Sequence, residues 1–322
     1  MKKGFTLIEL LAVIVILAII ALIAVPVVLN IINNAKESSV LRSAEFYLNA
    51  AEYTIADTYL YATGLSDGIY PITLDGNICK SELPCTEENT LKVEVTGEKP
   101  AGGTIKIESG KISDVSLILN NQIITNNQKG ELVYLTLDAV CEHKSGTEKT
   151  VGTKYTCDFG GGDRNFYILE LGSNPVSNTK LSEDEVALIL EGNYDETIQS
   201  WCASGADNSC NADGLTSKLD EIATNWMKIS RNQIVLPSAE QVSLADGVIF
   251  TNQMQNLSSA WLYDWPGNTN YGTSPSSRGY WTSTPSTTNL ESAFNVLNMG
   301  MLINSNTSPG ISGVRPVVNI KL

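Results

Sequence analysis

The first sixty residues carry the clearest pattern of apolar and polar positions. Residues 10–29 form a run without a charged or polar side chain. At a rise of about 1.5 Å per residue, a helix of this length spans a bilayer core of roughly 30 Å. From there to residue 59, apolar positions recur every three or four residues and charged side chains occupy the other faces. The pattern predicts one helix over residues 5–59, apolar all round at first and amphipathic later, without the heptads of a coiled coil.

Short strand-like segments follow the predicted helix. Gly64, Gly68 and Pro71 are typical of the end of a helix. Ser109-Gly110 lies between two alternating segments and predicts a hairpin turn. The segments predict an antiparallel sheet across which the helix lies, within a domain of residues 60–147. The predicted strands cover residues 91–95, 104–108, 115–119, 123–124 and 132–137.

A second domain is predicted for residues 148–322. The boundary is placed in a stretch rich in Gly, Lys and Thr over residues 147–162. Residues 166–171 and 186–190 are typical of buried strands, and residues 215–229 of a helix with one apolar face. From residue 247 the chain is rich in Ser, Thr and Asn, which indicates turns, short strands and loops. The fold class predicted for the whole chain is therefore α+β.

Charge and composition narrow the function. The chain has 21 basic and 35 acidic residues, a net charge of −14, which argues against electrostatic binding of nucleic acid. Its single histidine, His143, excludes multi-histidine metal sites, and we expect its side chain to be solvated. The mean hydropathy of −0.02 averages an apolar helix with polar domains. No metal and no cofactor is predicted. A loop beginning at Ser209 has Ser where a calcium loop opens with Asp, and Asp220 where such a loop closes with Glu.

The N-terminus combines a short basic leader with an acid inside the apolar segment. A cleaved secretory signal has an apolar region of about 7–15 residues, and the run here is longer. Read in order, the residues are Met1-Lys2-Lys3-Gly4, then Phe5-Thr6-Leu7-Ile8-Glu9. This arrangement resembles the prepilin leader of type IV pilins and of type II secretion pseudopilins. The resemblance implies a leader of residues 1–4, cleavage between Gly4 and Phe5 by a prepilin peptidase, and methylation of the new amine of Phe5. Loss of Lys2 and Lys3 changes the charge to −14 − 2 = −16.

Two further positions of the helix match that resemblance. An acid within a membrane helix costs about 2.5–3.5 kcal/mol on insertion scales. In pilins the acid equivalent to Glu9 is thought to pair with the amine of a neighbouring subunit, which implies a role for Glu9 in assembly. Pro26 removes a backbone hydrogen bond and implies a kink or local melting in filaments. A merely tolerated membrane proline is the alternative.

Several strings in the second domain resemble a C-type-lectin-like fold of the sulfatase-modifying-factor type. They are residues 234–238, Ile-Val-Leu-Pro-Ser, residues 279–283, Gly-Tyr-Trp-Thr-Ser, and residues 313–317, Gly-Val-Arg-Pro-Val. The resemblance implies that Trp281 and Arg315 are scaffold, with Arg315 bonded to buried carbonyls or to an acid. The catalytic cysteine pair of the formylglycine-generating enzymes has no counterpart after Cys210. Enzymatic activity is therefore not expected.

Six cysteines allow 15 pairings. Short loops favour the sequential pairs Cys79–Cys85, Cys141–Cys157 and Cys202–Cys210, and export past the membrane permits disulfides. Buried free thiols are the alternative. No Cys-x-x-Cys motif indicates zinc.

These features favour a type IV pilus subunit, minor or displayed at the tip, which starts as a single-pass membrane protein and ends at the cell surface. Its partners would be other pilin subunits, the prepilin peptidase, the cytoplasmic membrane and a glycan or host-surface ligand. A pseudopilin of a type II secretion or DNA-uptake machine is the alternative, and a membrane-tethered surface enzyme is disfavoured. The ligand-binding candidates, which core packing could equally explain, are Trp261, Tyr263, Asp264, Trp265 and Tyr271.

Overall fold

The structure is a computed structural model. It describes residues 7–60, 64–80, 85–127, 129–144, 149–175, 181–195, 197–204, 207–264, 279–307 and 312–322. Within the helix the side chains of residues 8, 9, 26 and 30 are also outside the description.

The chain begins with the long helix that its pattern predicts. Helix α1 (Leu7–Leu60) is continuous over 54 residues. Its first half makes no core contact, while its second half buries one stripe against a sheet. The stripe follows a spacing of three or four residues, so it stays on one side of the helix. Its members are Val40, Ala44, Tyr47, Ala51 and Ile55.

The stripe of α1 packs on a seven-stranded antiparallel sheet in the order β3-β2-β1-β4-β5-β6-β7. Alternate residues of the central strands face the helix and are fully buried, which closes one apolar core. The second half of α1 and this sheet are called the first unit below. The strands are β1 (Gly68–Ile72), β2 (Ile78–Cys79), β3 (Thr90–Leu91), β4 (Gly103–Glu108), β5 (Lys111–Leu119), β6 (Gln122–Asn126) and β7 (Leu132–Tyr134).

The predicted hairpin at Ser109-Gly110 is confirmed, because it joins β4 to β5 and both residues have positive φ. The predicted strand at 91–95 is wrong beyond residue 91. Val93 is fully buried, but its amide donates to the side-chain Oδ1 of Asn77 at 3.3 Å rather than to a strand. Alternation of apolar and polar residues predicts which side chains are buried, but it does not show that a neighbouring strand is there to pair with them.

A second unit follows from residue 137, with two antiparallel sheets. The larger has the order β12-β17-β11-β10-β9-β8 and the smaller the order β13-β16-β15-β14. The helices are α2 (Leu137–Val140), α3 (Thr216–Asn225) and α4 (Ala239–Ala245). The strands are β8 (Cys141–His143), β9 (Lys154–Asp158), β10 (Asp163–Leu171), β11 (Glu185–Leu190), β12 (Ile234–Val235), β13 (Gln255–Asn256), β14 (Tyr280–Pro285), β15 (Ser292–Val296), β16 (Met301–Asn306) and β17 (Val317–Lys321). Single 3-10 turns occur at Glu87–Asn89, Asn208–Cys210, Asp213–Leu215, Arg231–Gln233 and Ala260–Leu262.

The larger sheet of the second unit is covered on both faces. Alternate residues of β11, Val186 and Leu188, face a core that includes Ile222 of α3. The residues between them, Ala187 and Ile189, face a second core that includes α4 and the smaller sheet. A strand buried on both faces needs apolar residues at every position, which explains the unbroken run at 186–190.

The second unit starts earlier than the sequence pattern indicates. Strand β8 pairs with β9 in the larger sheet, and the opposed residues of that pair are Cys141 and Cys157. The predicted boundary at residue 148 therefore lies inside this unit. The predicted helix over 215–229 is shorter, because α3 ends at Asn225 and Trp226 takes a non-helical conformation.

The two units meet at a lysine whose role was not predicted from the sequence. The side chain of Lys228 is only 3% exposed. Its Nζ lies 2.8 Å from a carboxylate oxygen of Asp158 in the second unit and 3.4 Å from one of Asp114 in the first. The hydroxyl of Thr104 also donates to the backbone carbonyl of Met227, at 3.1 Å. Residues 227–228 therefore link the two units through both backbone and charge.

Candidate assembly helix and display unit

The first half of α1 has no protein cover. Its large apolar side chains are roughly half exposed or more, as at Leu11, Ile16 and Leu22. The segment is long and apolar enough to cross a membrane, and none of the most apolar window is buried against the rest of the chain. Uncovered apolar area costs about 25 cal/mol per Å² in water. This half of the helix therefore requires lipid or other chains around it.

The processing and assembly positions fall mostly outside the described residues. Gly4 and Phe5 lie outside them altogether. The backbone at Glu9 and Pro26 is helical, and their side chains lie outside the description. The roles implied for these four residues stay predictions.

The three predicted disulfides are confirmed. Cys79–Cys85 lies in the first unit, while Cys141–Cys157 and Cys202–Cys210 lie in the second. Cys202, Cys210 and Asp213 lie close together, but the two thiols are oxidised and the Oδ1 of Asp213 accepts the amide of Ala203 at 2.8 Å. This cluster shapes a loop and offers no thiolate to a metal.

The implied scaffold role of Arg315 is confirmed by its contacts. Its guanidinium is completely buried and donates to the backbone carbonyls of Leu190 at 2.6 Å, Leu262 at 2.5 Å and Trp261 at 2.9 Å. Burial lowers the pKa of Arg315 from its ordinary value. Burial also raises the pKa of the neighbouring Tyr280 to about 12, although the charge of Arg315 opposes this shift. These bonds join the end of β11 to the 3-10 turn at Ala260–Leu262.

Trp281 has the same kind of role in another part of the core. Its side chain is fully buried, and its indole Nε1 donates to the carbonyl of Gln199 at 2.8 Å. Trp201 makes the reciprocal type of contact, since its Nε1 donates to the carbonyl of Thr282 at 2.8 Å. The two tryptophans hold β14 against residues 199–201.

The predicted ligand patch is only partly described. Trp265 and Tyr271 lie outside the described residues. Trp261 is half-buried, and its ring lies 5.2 Å from that of Tyr167 at an angle of 32°. Tyr263 is also half-buried against the core, and Asp264 is exposed. Trp261 thus contributes to packing, and its carbonyl binds Arg315.

A polar network borders this packed tryptophan. Glu191 is contacted by Lys154 through an ion pair, by the amide of Asn165 at 2.8 Å and by the hydroxyl of Tyr167 at 3.3 Å. Burial would raise the pKa of Glu191, but the Lys154 ammonium and the two hydrogen-bond donors more than offset it, so the pKa is lowered. The carboxylate is ionised and already bonded, as expected for a structural group.

His143 is not the solvated residue that its charged sequence neighbours indicate. Its ring lies edge-on to Tyr155, with centroids 4.8 Å apart, and its Nε2 is shielded from solvent without a partner among the described residues. The difference arises because His143 lies on the same face of β8 as the buried Cys141. There it is opposite Tyr155 of the neighbouring strand β9. All six cysteines are in disulfides, so none of them offers a thiol for His143 to activate.

Comparison with known proteins bears on the N-terminus. Residues 1–25 match the family model described as the prokaryotic N-terminal methylation motif. Neither the comparison with curated proteins nor the comparison with solved structures gave a match.

The matched motif and the uncovered helix define the class. They indicate a type IV pilin-like or pseudopilin-like protein, anchored in a membrane before assembly and processed by a prepilin peptidase. Assembly with other pilin subunits follows from the same motif, because the exposed half of α1 needs apolar partners once it leaves the lipid.

Proposed function

We propose that this chain is a minor or tip-displayed subunit of a type IV pilus that carries an adhesive unit at the cell surface. One observation carries the proposal. A helix whose first half has no cover is joined, through a first unit, to a second unit whose own apolar faces are closed. The helix supplies the assembly element, and the described residues of the second unit leave no core uncovered that a shaft would need to bury.

The bulk of the second unit favours the tip over the shaft. Residues 137–322 form more than half of the chain, and Lys228 holds them against the first unit. A repeated shaft subunit must leave room for its copies on every side, which is difficult for a protein with so large an attached unit. A subunit present once or a few times at the end has no such restriction.

Imaging of filaments tests this placement. An antibody against the second unit, with gold detection on pili sheared from the native host, should label filament ends. Continuous label along the shafts would contradict a tip-only role. Absence from sheared filaments, with the protein retained in the membrane fraction, would favour the pseudopilin alternative.

We further propose that the second unit binds a ligand and does not catalyse a reaction. The enclosed position of His143 and the oxidation of all cysteines support this. Screening the full chain for hydrolase and oxidase activity tests it, and turnover that is lost with a single substitution in the second unit would contradict it.

A further inference from the structure

A groove of about 580 Å³ lies on the second unit, and the described ligand-binding candidates Trp261, Tyr263 and Asp264 do not line it. Its walls come from Leu181, β12, the start of α4, the segment 250–252, the end of β14 and β17. Small-molecule sites usually enclose about 300–1,000 Å³. The groove therefore has the size of a site for a compact ligand.

Most of the residues that line the groove are polar, and its apolar members are Leu181, Val235 and Phe250. Glu240 is the one charged residue among the described residues that line the groove. Without a lysine or arginine in that lining, the groove offers no charged donor to an anionic ligand. Phe250 supplies one aromatic side chain, fixed edge-on against Phe294 with centroids 5.0 Å apart. The amide and hydroxyl side chains are Gln241, Asn252, Asn319, Ser238, Ser283 and Thr284.

Two of these polar groups are held in place by the protein. The amide of Gln241 donates to the buried carboxylate of Glu170 at 2.7 Å, and its oxygen accepts the amide of Ser238 at 2.9 Å. The hydroxyl oxygen of Thr284 accepts the amide of Ala239 at 2.9 Å and keeps its own proton for donation. A fixed amide and a fixed hydroxyl are the groups that give a site its orientation, because little order is lost on binding.

Among the residues of the groove, Asn319 gives the strongest indication of a ligand. Its Oδ1 is shielded from solvent and has no hydrogen-bond partner among the described residues. A polar group without a partner in such a place is rare in native proteins and costs stability. Val317, the neighbour of Asn319 on the same face of β17, is apolar and buried, so a hydrophobic residue could occupy position 319. An asparagine there is accounted for if its amide, after a turn of the side chain, bonds a bound molecule.

We propose that this groove binds a neutral saccharide, one or two sugar rings in size, and that it is the ligand site of the adhesive unit. The inference rests on the proposed adhesive function. Sugar hydroxyls both donate and accept, which matches a lining of amides and hydroxyls, and the apolar face of a sugar ring suits Phe250. A peptide is the poorer match, because the adjoining edge strand β12 is only two residues long.

The test uses the full chain in a detergent without a sugar headgroup, applied to a printed array of neutral, sialylated and sulfated glycans and of immobilised peptides. Wild type should bind neutral glycans. Asn319→Leu should weaken that binding about tenfold or more, the equivalent of one lost hydrogen bond. Its urea midpoint should be unchanged or higher, since an unpaired amide is removed. A structural role for Asn319 predicts the opposite change in stability.

A second variant and a control guard against misfolding. Asn252 lines the groove with a φ of 58°, so Asn252→Gly removes the amide at a backbone conformation that glycine adopts without strain. It should also weaken binding. Trp261→Phe keeps the ring stacked on Tyr167 and should bind like wild type.

Four results would overturn the inference. Two concern wild type, namely no glycan binding at all, or binding confined to anionic glycans or peptides. The other two are retention of binding in both groove variants and loss of binding in Trp261→Phe alone. None of these results decides whether the chain is a pilus subunit, which depends on the sheared filaments.

Discussion

The first half of α1 leaves its apolar surface uncovered, whereas the second unit buries the apolar faces of its larger sheet. Along the first half of the helix every large apolar side chain that the structure describes is exposed, and the segment is covered only by lipid or by other subunits. In the second unit both faces of the larger sheet are covered, and even an arginine is enclosed. The first half of α1 can contact lipid or other subunits because its apolar side chains are left uncovered. The described part of the second unit encloses its own cores, so its surface is available for a ligand site.

The largest expected effect is a loss of stability confined to the second unit. Arg315→Met removes the donor from three carbonyls, two of them buried and one partly buried, and should lower the free energy of unfolding of the second unit by about 3–5 kcal/mol. All five tryptophans lie in this unit, so urea unfolding followed by tryptophan fluorescence reports on it. The control is Arg231→Met, whose partner Asp220 is exposed and whose loss should cost under about 1 kcal/mol. An equal effect of the two variants would show that the buried bonds contribute little.

A second variant should impair only the membrane insertion of the first half of α1. Leu17 is 57% exposed within the apolar run, and Leu17→Lys should oppose membrane insertion by about 3 kcal/mol. Alkaline carbonate extraction of cell membranes should then release the variant but retain wild type and the matched control Ser38→Lys. The tryptophan unfolding curve should not change. Retention of Leu17→Lys in the membrane would contradict a lipid-facing position.

The smallest effect concerns the contact between the two units. Lys228→Met removes the counter-charge of Asp158 and Asp114, which are each about a quarter exposed, and should weaken the contact by about 1–2 kcal/mol. Hydrogen exchange of the β5 amides measures it. Lys321→Met, which removes a long and exposed pair with Asp184, is the control and should leave that exchange unchanged.

The same contact should respond to acid. Burial raises the pKa of Asp158, but Lys228 and the amides of Gly160 and Gly162 more than offset this and lower it overall. A lowered pKa in the folded state stabilises the protein at pH values above the ordinary aspartate pKa of about 3.9, and the gain is lost as pH falls through the lower, folded value. Wild type should show this added loss of protection at low pH. Lys228→Met should show less of it, because only the amides of Gly160 and Gly162 remain to lower the pKa of Asp158, and an identical acid response in both would contradict the ion pair.

Much of the fold follows from the sequence because its signals are local. The apolar run, the stripe on α1 and the hairpin at Ser109-Gly110 each depend on neighbours in the chain. The predicted boundary near 148 is wrong because the Gly-rich stretch that indicates a linker begins between two paired cysteines of one sheet. The predicted pairing of Cys141 with Cys157 already requires both residues to lie in one unit, and the structure places them on adjacent strands.

The groove and the contact at Lys228 could not be predicted in this way. The groove is assembled from six separate segments between residues 181 and 319, none of which carries a motif. Lys228 reaches Asp114 across more than a hundred residues of chain. Trp261 shows the reverse error, because an aromatic among polar neighbours indicates a binding surface as readily as it indicates the packing it has here.

The central claim is that the N-terminus is a processed assembly element. The most direct test is the intact mass of the protein purified from its native host. Processing predicts a chain that lacks residues 1–4 and carries one added methyl group, assigned by fragmentation to the amine of Phe5. A chain that retains Met1–Gly4, or that is cut beyond the apolar run, would contradict the claim and leave an ordinary anchor or signal sequence.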